Sequence, residues 1–245
     1  MSRAEHRPFE SDIETYGRYQ YTGSDRFSTV RANRRFSDMI LAAADMRGRR
    51  VVDVGCGDGT YTVLLGYESG AASVLGIDPA PSAIAAARAK PTGAPVSFRH
   101  GTAATLLAEG AQFDVAVYRG VIHHVAEPAA EIKAALHLAP VVVFLEPNGT
   151  NLVLKLLERF STYHRAHDEK SYTASTYRTW IAAGGGRVRS LSYFGLVAYF
   201  SPEWLARTGA RLEPIVERIA GLRAIACGQL TIVAEREHDQ VPPRG

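Results

Sequence analysis

The residues with the clearest chemical potential lie in the glycine-rich stretch VVDVGCGDGT, whose glycines are Gly55, Gly57 and Gly59. Such glycines permit positive φ angles and let a ligand lie against the main chain, where a Cβ would interfere. A second marker, Asp78, ends the apolar run SVLGID about 20 residues further on. A carboxylate at that spacing accepts hydrogen bonds from ribose hydroxyls in nucleotide-binding folds. The pattern therefore predicts a site for an adenosine-containing ligand.

The glycine turn differs from a dinucleotide-binding loop. Such a loop reads G-x-G-x-x-G, but this turn reads G-x-G-x-G, and Thr60 occupies the position of the third glycine. Asp53 before the turn and Asp58 within it make a poor cradle for a pyrophosphate and a suitable partner for an ammonium group. These features favour S-adenosylmethionine, which carries an ammonium and a sulfonium, over NAD.

Histidines supply the candidate groups for proton transfer. Transfer of a methyl group to a hydroxyl requires an aligned acceptor and usually removal of its proton, a task that suits histidine near neutral pH. His123 and His124 follow the fourth apolar run, and His167 lies in the polar segment STYHRAHDEKSY. We predict His124 as the first choice of base and His167 as the second, with His123 as a further candidate. Alternatively, the histidine pair at 123 and 124 shapes its loop.

The acceptor is expected to lie at the carboxyl edge of the sheet and under the polar segment. We assign binding of the acceptor to Glu146, Asn148, Tyr163 and His164. The alternative for the EPNG sequence is a simple turn. The i, i+3 spacing of His164 and His167 is more typical of a solvated helix surface than of a metal site, so no metal is predicted.

Three further aromatic residues have alternative interpretations. Tyr21, in the N-terminal segment, is our candidate for contact with the carboxylate of the ligand, and aromatic packing is its structural alternative. Trp180 and Trp204 lie in apolar helical contexts. We expect both to belong to the core or to a pocket wall.

The elements that must position these residues alternate between strand-like and helix-like segments. Apolar runs at RVVDVG, SVLGID, VSFRHG, FDVAVYR and VVVFLE are separated by alanine-rich stretches, which predicts a parallel sheet with crossover helices on both faces. Later runs at RVRSLSYFG and RAIACGQLTIVAER are expected to close the sheet as an antiparallel pair, with a helix from about Pro202 to Leu222 between them. We predict a single domain, divided into an N-terminal cap (1–48), a cofactor-binding core (50–147), a helical lid insertion (148–172) and a C-terminal part (173–237).

Composition narrows the class of protein. The chain of 245 residues is 46% hydrophobic, which is enough for one sizeable core. Its 28 basic residues exceed its 25 acidic ones by only 3, too small and dispersed an excess to indicate nucleic acid. Cys56 and Cys227 are expected to be reduced thiols in a cytoplasmic protein. No apolar segment predicts a signal peptide or membrane span, and the oligomeric state stays open.

The motifs VVDVGCGDGTYT, VLGIDPAPSAIAAARA, FDVAVYRGVIHHV and VVVFLEPN together resemble those of class I S-adenosylmethionine-dependent methyltransferases, especially the group acting on small molecules. The resemblance covers about residues 50–147 and concerns the fold and cofactor, not the acceptor. It implies a Rossmann-like, doubly wound α/β fold whose seven-stranded sheet is mostly parallel with an antiparallel last strand. We assign cofactor contacts to Asp53, Gly55, Cys56, Gly57, Asp78, Pro79, Thr102, Ala103, Arg119 and Tyr21.

The resemblance implies that Gly55 and Gly57 lie against the methionine part of the cofactor and that Asp78 binds the ribose. It also implies that the segment GTAATL lies beside the adenine. Many members of the family have an aspartate where this chain has Thr102. The adenine amino group is therefore expected to be bound by the Thr102 hydroxyl or by a backbone group.

The sequence as a whole predicts methyl transfer from S-adenosylmethionine to a small-molecule acceptor, with a hydroxyl as the preferred group. An NAD-dependent oxidoreductase on the same fold and a non-catalytic S-adenosylmethionine-binding protein are the alternatives. A sugar, a lipid-linked intermediate, a phenolic compound and an amine all remain open as acceptors.

Overall fold

The computed structural model describes residues 25–93, 95–160, 170–199 and 201–237. A seven-stranded sheet has the order β3-β2-β1-β4-β5-β7-β6. The strands are β1 (Arg50–Val54), β2 (Ser73–Asp78), β3 (Val96–His100), β4 (Val115–Arg119), β5 (Val141–Pro147), β6 (Gly186–Phe194) and β7 (Gln229–Arg236). Strands β1 to β5 pair in parallel, and β7 runs antiparallel to both β5 and β6. The predicted α/β sheet with an antiparallel last strand is confirmed.

Helices cover both faces of the sheet. They are α1 (Phe27–Ala43), α2 (Thr60–Glu68), α3 (Pro81–Arg88), α4 (Ala103–Ala108), α5 (Pro128–Leu138), α6 (Leu152–Phe160), α7 (Ala174–Ala183), α8 (Glu203–Arg218) and α9 (Ala220–Ala226), with a short 3-10 helix at Ile122–His124. Pro81 and Pro128 stand in the first turn of their helices, where a proline needs no amide donor.

The apolar runs of the central strands follow from burial on both faces. Helices α1 and α2 pack on one face of the sheet, while α4, α5 and α7 pack on the other. In β1 every residue after Arg50 is buried, so the strand is a nearly continuous apolar run rather than an alternating one. Parallel pairing of β1 with β2 and β4 brings the carboxyl ends of these strands to one edge.

The C-terminal region differs from the sequence-based expectation. The segment RAIACGQLTIVAER does not form one strand, because its first part belongs to α9 and β7 begins only at Gln229. Gln229 is the first residue to lie beside β5, where it pairs with Pro147. The predicted single helix over this region is two helices, which meet at Ile219.

Helix α8 turns a glutamate inward and a tryptophan outward. Trp204, which we expected in the core or in a pocket wall, is 71% exposed, whereas Glu213 is only 2% exposed. The Glu213 carboxylate accepts hydrogen bonds from the Arg31 guanidinium of α1 and, at 2.8 Å, from the backbone N–H of Leu196. Ion pairing with α1 therefore decides which side of α8 faces the protein.

We expect Glu213→Ala to lower the free energy of unfolding by about 1–2 kcal/mol, because two donors at a buried position lose their acceptor. Arg31 keeps 29% of its side chain exposed, so water offsets part of the loss. Urea denaturation measures the effect. Glu203→Ala is the matched control, since among the described residues this exposed glutamate pairs only with Arg207, on the surface of the same helix, and should contribute little. Equal losses in both variants would contradict the anchoring role of Glu213.

Candidate cofactor and acceptor site

The glycine turn after β1 is fastened to the end of β2. The N–H groups of Gly55 and Cys56 donate to the Ile77 carbonyl at 2.8 and 3.0 Å, and the Gly57 N–H donates to Asp78 Oδ2 at 2.9 Å. Gly55 and Gly57 have φ angles of 73° and 55°, as predicted for a turn that needs glycine.

The glycine turn also lies directly against the loop that follows β4. A Cβ on Gly55 would come within 2.6 Å of the Val121 Cγ2 atom, so only glycine lets the two segments approach so closely. The turn and the loop that carries His123 and His124 therefore lie side by side at the carboxyl edge.

Asp78 is oriented by the backbone around it. Its Oδ1 accepts from the Ala80 N–H at 2.8 Å, while Oδ2 accepts from Gly57, and the residue is 8% exposed. A carboxylate held in a fixed plane at the end of β2 has the geometry for accepting two hydrogen bonds from vicinal hydroxyls. Its position fits the predicted contact with a ribose.

Asp58 does not contribute negative charge to the ligand side of the turn. Its Oδ1 accepts from the Thr60 N–H at 3.0 Å, its Oδ2 lies 3.6 Å from Lys90 Nζ, and the residue is 2% exposed. We had expected both Asp53 and Asp58 to attract an ammonium group. The structure corrects this view, because Lys90 already balances the charge of Asp58.

Asp53 and Arg119 line the same small cavity beside the turn. Asp53 is buried, and its Oδ2 accepts from the Thr62 hydroxyl at 2.6 Å. The cavity is otherwise walled by Tyr61, Ser37 and apolar side chains of α1, α2 and β4. A carboxylate and a guanidinium on the walls of one cavity complement the ammonium and carboxylate of an amino-acid zwitterion.

Arg119 is held by α1 and by an aromatic ring. Its guanidinium donates to the Ser37 hydroxyl at 2.9 Å and to the side-chain oxygen of Asn33 at 3.1 Å. Its Cζ atom lies 3.6 Å from the ring centroid of Tyr61, which is close enough for a cation–π contact. Burial raises the pKa of Tyr61 to about 12, so the ring stays neutral.

Burial gives Asp53 a measurable pH signature. It raises the pKa of Asp53 from 3.8 to about 6, against the opposing effects of Thr62 and Arg119. Between these pH values the folded protein keeps a proton that the unfolded chain has released. We therefore expect Asp53 to remove on the order of 1 kcal/mol of stability from the ligand-free protein per pH unit between about pH 4 and about pH 6.

Asp53→Asn tests this expectation, because the amide keeps an acceptor for Thr62 but does not titrate. Thermal denaturation of both proteins across this pH range measures the difference. The variant should lack the part of the slope that Asp53 causes. Parallel curves for the two proteins would show that Asp53 ionises normally.

A glutamate and a histidine form a fixed pair at the ends of β4 and β5. Glu146 Oε1 accepts from the N–H groups of Val121 and Ile122 at 2.8 and 2.9 Å, and Oε2 lies 2.8 Å from His123 Nδ1. Because an ionised carboxylate only accepts, a hydrogen lies on Nδ1, and in the neutral imidazole the Nε2 atom of His123 then carries the lone pair. The His123 side chain is 10% exposed, and its ring lies 3.8 Å from that of His124 between centroids.

Glu146 and Asn148, which we assigned to the acceptor, are both fully buried. The Asn148 amide donates to the carbonyls of Ala224 and Cys227 at 2.8 Å each. With no exposed surface, neither residue has an atom available to an acceptor in this structure. We therefore reassign Glu146 to orienting His123, and Asn148 to holding α9.

The residues assigned to the adenine side have structural partners. The Thr102 hydroxyl accepts from the Thr105 N–H at 3.3 Å and caps α4, while Ala103 is completely buried. The Pro79 carbonyl lies 3.0 Å from His100 Nε2. Burial raises the pKa of the Cys56 thiol far above its usual value, so this residue offers contact and not a nucleophile.

Some predicted residues lie outside the part of the chain that the structure describes, namely Tyr21, Tyr163, His164 and His167. Their roles, and that of the lid insertion, stay predictions. Conversely, Tyr61, Asn33 and Ser37 are site residues that the sequence motifs do not predict. The available signals were an aromatic residue directly after the glycine turn and two polar residues at i, i+4 spacing on a buried helix face.

Two classes of site are absent from the described residues. Across 25–93, 95–160, 170–199 and 201–237, no group of three histidine, cysteine or acidic side chains is placed to hold a metal ion. None of the helices in these ranges has the length and apolar character needed to cross a membrane. The two cysteines, Cys56 and Cys227, are both free thiols.

Comparison with known sequences places the central part of the chain in one family. Residues 51–142 match the family model described as a methyltransferase domain. The chain is 34% identical over 129 residues to a ubiquinone biosynthesis O-methyltransferase of Roseobacter denitrificans, covering 51% of this chain and 49% of the relative. It is 28% identical over 174 residues to the protein of the same name from Azotobacter vinelandii, covering 63% and 73%. The chain thus spans about half the length of the first of these curated relatives.

Solved structures share the fold over nearly the whole chain. The magnesium protoporphyrin IX methyltransferase of Synechocystis PCC 6803, solved with bound SAH, matches with a TM-score of 0.64 at 16% identity, covering 93% of this chain and 97% of that one. The [4+2]-cyclase SpnF matches with a TM-score of 0.66 at 19% identity, covering 96% and 94%. At these identities the likeness concerns the fold. The chain therefore has the fold of class I S-adenosylmethionine-dependent methyltransferases, and its residues 51–142 match a methyltransferase domain.

Proposed function

We propose that this protein transfers a methyl group from S-adenosylmethionine to a hydroxyl group of a small molecule. The observation that carries the proposal is the Glu146–His123 pair, which orients an imidazole in the loop that packs on the glycine turn through Val121. The curated relatives are named as O-methyltransferases, which supports a hydroxyl over an amine.

The described residues fit S-adenosylmethionine. Asp53 and Arg119 would hold the ammonium and carboxylate of its methionine part, and Asp78 would accept from its ribose hydroxyls. The turn at Gly55 and Gly57 gives the ligand access to the main chain. When bound, the sulfonium supplies an electrophilic methyl group.

The residues of the chain would then prepare the acceptor. His123 Nε2 accepts the hydroxyl proton of the acceptor, which makes its oxygen a stronger nucleophile. Glu146 holds the Nδ1 hydrogen and stabilises the imidazolium that forms, because its carboxylate is buried and already oriented by two backbone N–H groups. His124 lies against the same ring and, with His167, remains the alternative base.

The fold alone does not establish methyl transfer, since SpnF has it and is named a cyclase. A non-catalytic binding protein is therefore the second candidate. We further propose a cytoplasmic setting, which the two free thiols support, and a small-molecule rather than a nucleic-acid partner, in line with the nearly balanced charge.

Two measurements test the proposal. Titration calorimetry should detect binding of S-adenosylmethionine and not of NAD. A screen of phenols, sugars, lipid-linked alcohols and amines should then release S-adenosylhomocysteine with a hydroxyl acceptor. Binding without turnover of any acceptor would support the non-catalytic alternative, and preference for NAD would reject the proposal.

A further inference from the structure

The outward face of α8 and α9 is apolar. Besides Leu205, which is 46% exposed, six large apolar side chains along these helices are between 38% and 71% exposed, namely Trp204, Leu212, Ile215, Ile219, Leu222 and Ile225. Within α8, spacings of three and eight residues keep Trp204, Leu212 and Ile215 on one side, because each residue of a helix is rotated by about 100° from the last. Ile219 lies where α8 meets α9, and Leu222 and Ile225 are three residues apart in α9. We call these six residues the outer stripe. A contiguous exposed apolar surface of this kind usually marks an interaction site.

The inward side of α8 explains why the outer stripe is not buried. Glu213 and Glu217 point towards α1, where Arg31 and Arg35 bind them. Pro214 cannot donate to the Ala210 carbonyl one turn earlier, and the Arg31 guanidinium lies 3.5 Å from that oxygen. Ionic contacts with α1 thus hold the side of α8 that carries Glu213 and Glu217 inward and leave the apolar side facing out.

Positive charge borders the outer stripe. By helix geometry, Arg211 and Arg218 lie on one flank, beside Trp204 and Ile215 and away from Leu212. In the described part of the chain, no ion pair or hydrogen bond involves either of these two guanidinium groups. Arg207, on the same flank, pairs with Glu203. The flank therefore carries positive charge that nothing described in the protein balances.

We propose that the outer stripe docks on the surface of a membrane that contains anionic lipids. A helix with tryptophan and aliphatic residues on one face and arginines beside them lies in the interface between headgroups and acyl chains. The uncompensated arginines add attraction to anionic headgroups. This inference goes beyond the proposed methyl transfer and does not depend on it.

A second copy of the chain fits the outer stripe less well. If a two-fold axis across the helices stacked two stripes antiparallel, the arginine flank of one copy would face the same flank of the other. Like charges held together in this way oppose association. An anionic membrane surface is complementary to both the apolar and the charged parts.

Docking through the outer stripe would also orient the candidate site. The Asn148 amide binds the carbonyls of Ala224 and Cys227, and the Asn151 amide binds that of Ala226, each at 2.8 Å. Helix α9 is thereby fastened to the loop after β5, at the carboxyl edge of the sheet. A membrane that contacts α9 would lie near this edge.

Vesicle sedimentation tests the proposal with the full chain. We expect binding to phosphatidylcholine vesicles that contain phosphatidylglycerol, weaker binding to pure phosphatidylcholine, and loss of the difference at high salt. Leu212→Asp/Ile215→Asp should weaken binding to anionic vesicles at least about tenfold. Arg211→Ala/Arg218→Ala should weaken it about tenfold on anionic vesicles and little on neutral ones.

Matched controls separate the outer stripe from general effects of charge and exposure. Val30→Asp changes an apolar residue that is 54% exposed on α1, and Lys133→Ala/Arg178→Ala removes two exposed cations from α5 and α7, on the opposite face of the sheet. Both controls should bind vesicles like the unchanged protein. Circular dichroism verifies folding. If Leu212→Asp/Ile215→Asp unfolds the protein, vesicle binding by Arg211→Ala/Arg218→Ala tests the proposal instead.

Several results would overturn the proposal. One is absence of binding to anionic vesicles, and another is undiminished binding of the folded stripe or arginine variants. If the chain is a dimer that Leu212→Asp/Ile215→Asp converts to a monomer, the outer stripe is covered by a second copy instead. None of these results bears on S-adenosylmethionine binding, which is measured separately.

Discussion

Replacing His123 with alanine is expected to lower turnover of a hydroxyl acceptor at least about a hundredfold, because general-base catalysis typically contributes that much. Affinity for S-adenosylmethionine should stay unchanged, since Asp53, Asp78 and Arg119 lie on other elements. Steady-state kinetics and calorimetry measure the two quantities. The loss should appear in kcat rather than in KM.

His124→Ala is the matched control, because this neighbouring histidine lies in the same 3-10 helix and against the same ring. From sequence alone we placed His124 first, whereas the hydrogen bond to Glu146 now favours His123. A larger loss of turnover in His124→Ala than in His123→Ala would favour His124 as the base. Near-normal turnover in both variants would mean that alignment of an already nucleophilic acceptor suffices.

Glu146→Gln examines the same pair from the other side. The amide oxygen can still accept from the N–H groups of Val121 and Ile122, but its NH₂ group would face His123 Nδ1. The imidazole would then carry its hydrogen on Nε2 and could not accept a proton there. We expect a loss of turnover close to that of His123→Ala, with the fold preserved by circular dichroism.

Asp78→Ala is expected to weaken S-adenosylmethionine binding by about 2 kcal/mol or more, roughly a thirtyfold rise in Kd. The physical reason is that two ribose hydroxyls lose an ionised acceptor. Calorimetry measures the dissociation constant. Asp78→Asn should give an intermediate loss, because the amide keeps one acceptor oxygen for the backbone but lacks the charge.

Asp114→Ala provides the control for Asp78. Asp114 also accepts from a backbone N–H of the sheet, that of Arg50 at 2.7 Å, but at the opposite edge. Its removal should leave S-adenosylmethionine binding as it was. An unchanged dissociation constant in Asp78→Ala would exclude Asp78 from the site.

The sequence by itself determined the sheet and the glycine turn. Apolar runs, alanine-rich helices and prolines at helix starts are local signals, and the structure has the first five strands where those signals predict them. The place of Asp78 could also be predicted from the sequence, because the parallel pairing of β1 and β2 must bring the ends of these strands together. The predicted start of the last strand was wrong, because a short apolar segment such as RAIA fits a helix or a strand until its neighbours are known.

Only the tertiary structure decided how charges are paired and which way α8 faces. Glu146 meets His123 because β4 and β5 pair with Arg119 beside Leu145, and no local pattern specifies that register. Likewise, a periodic pattern shows that a helix has an apolar side, but not that Glu213 will bind arginine on α1 and leave Trp204 outside. Contacts between distant segments carry this information, because burial and ion pairing depend on what packs against each side chain.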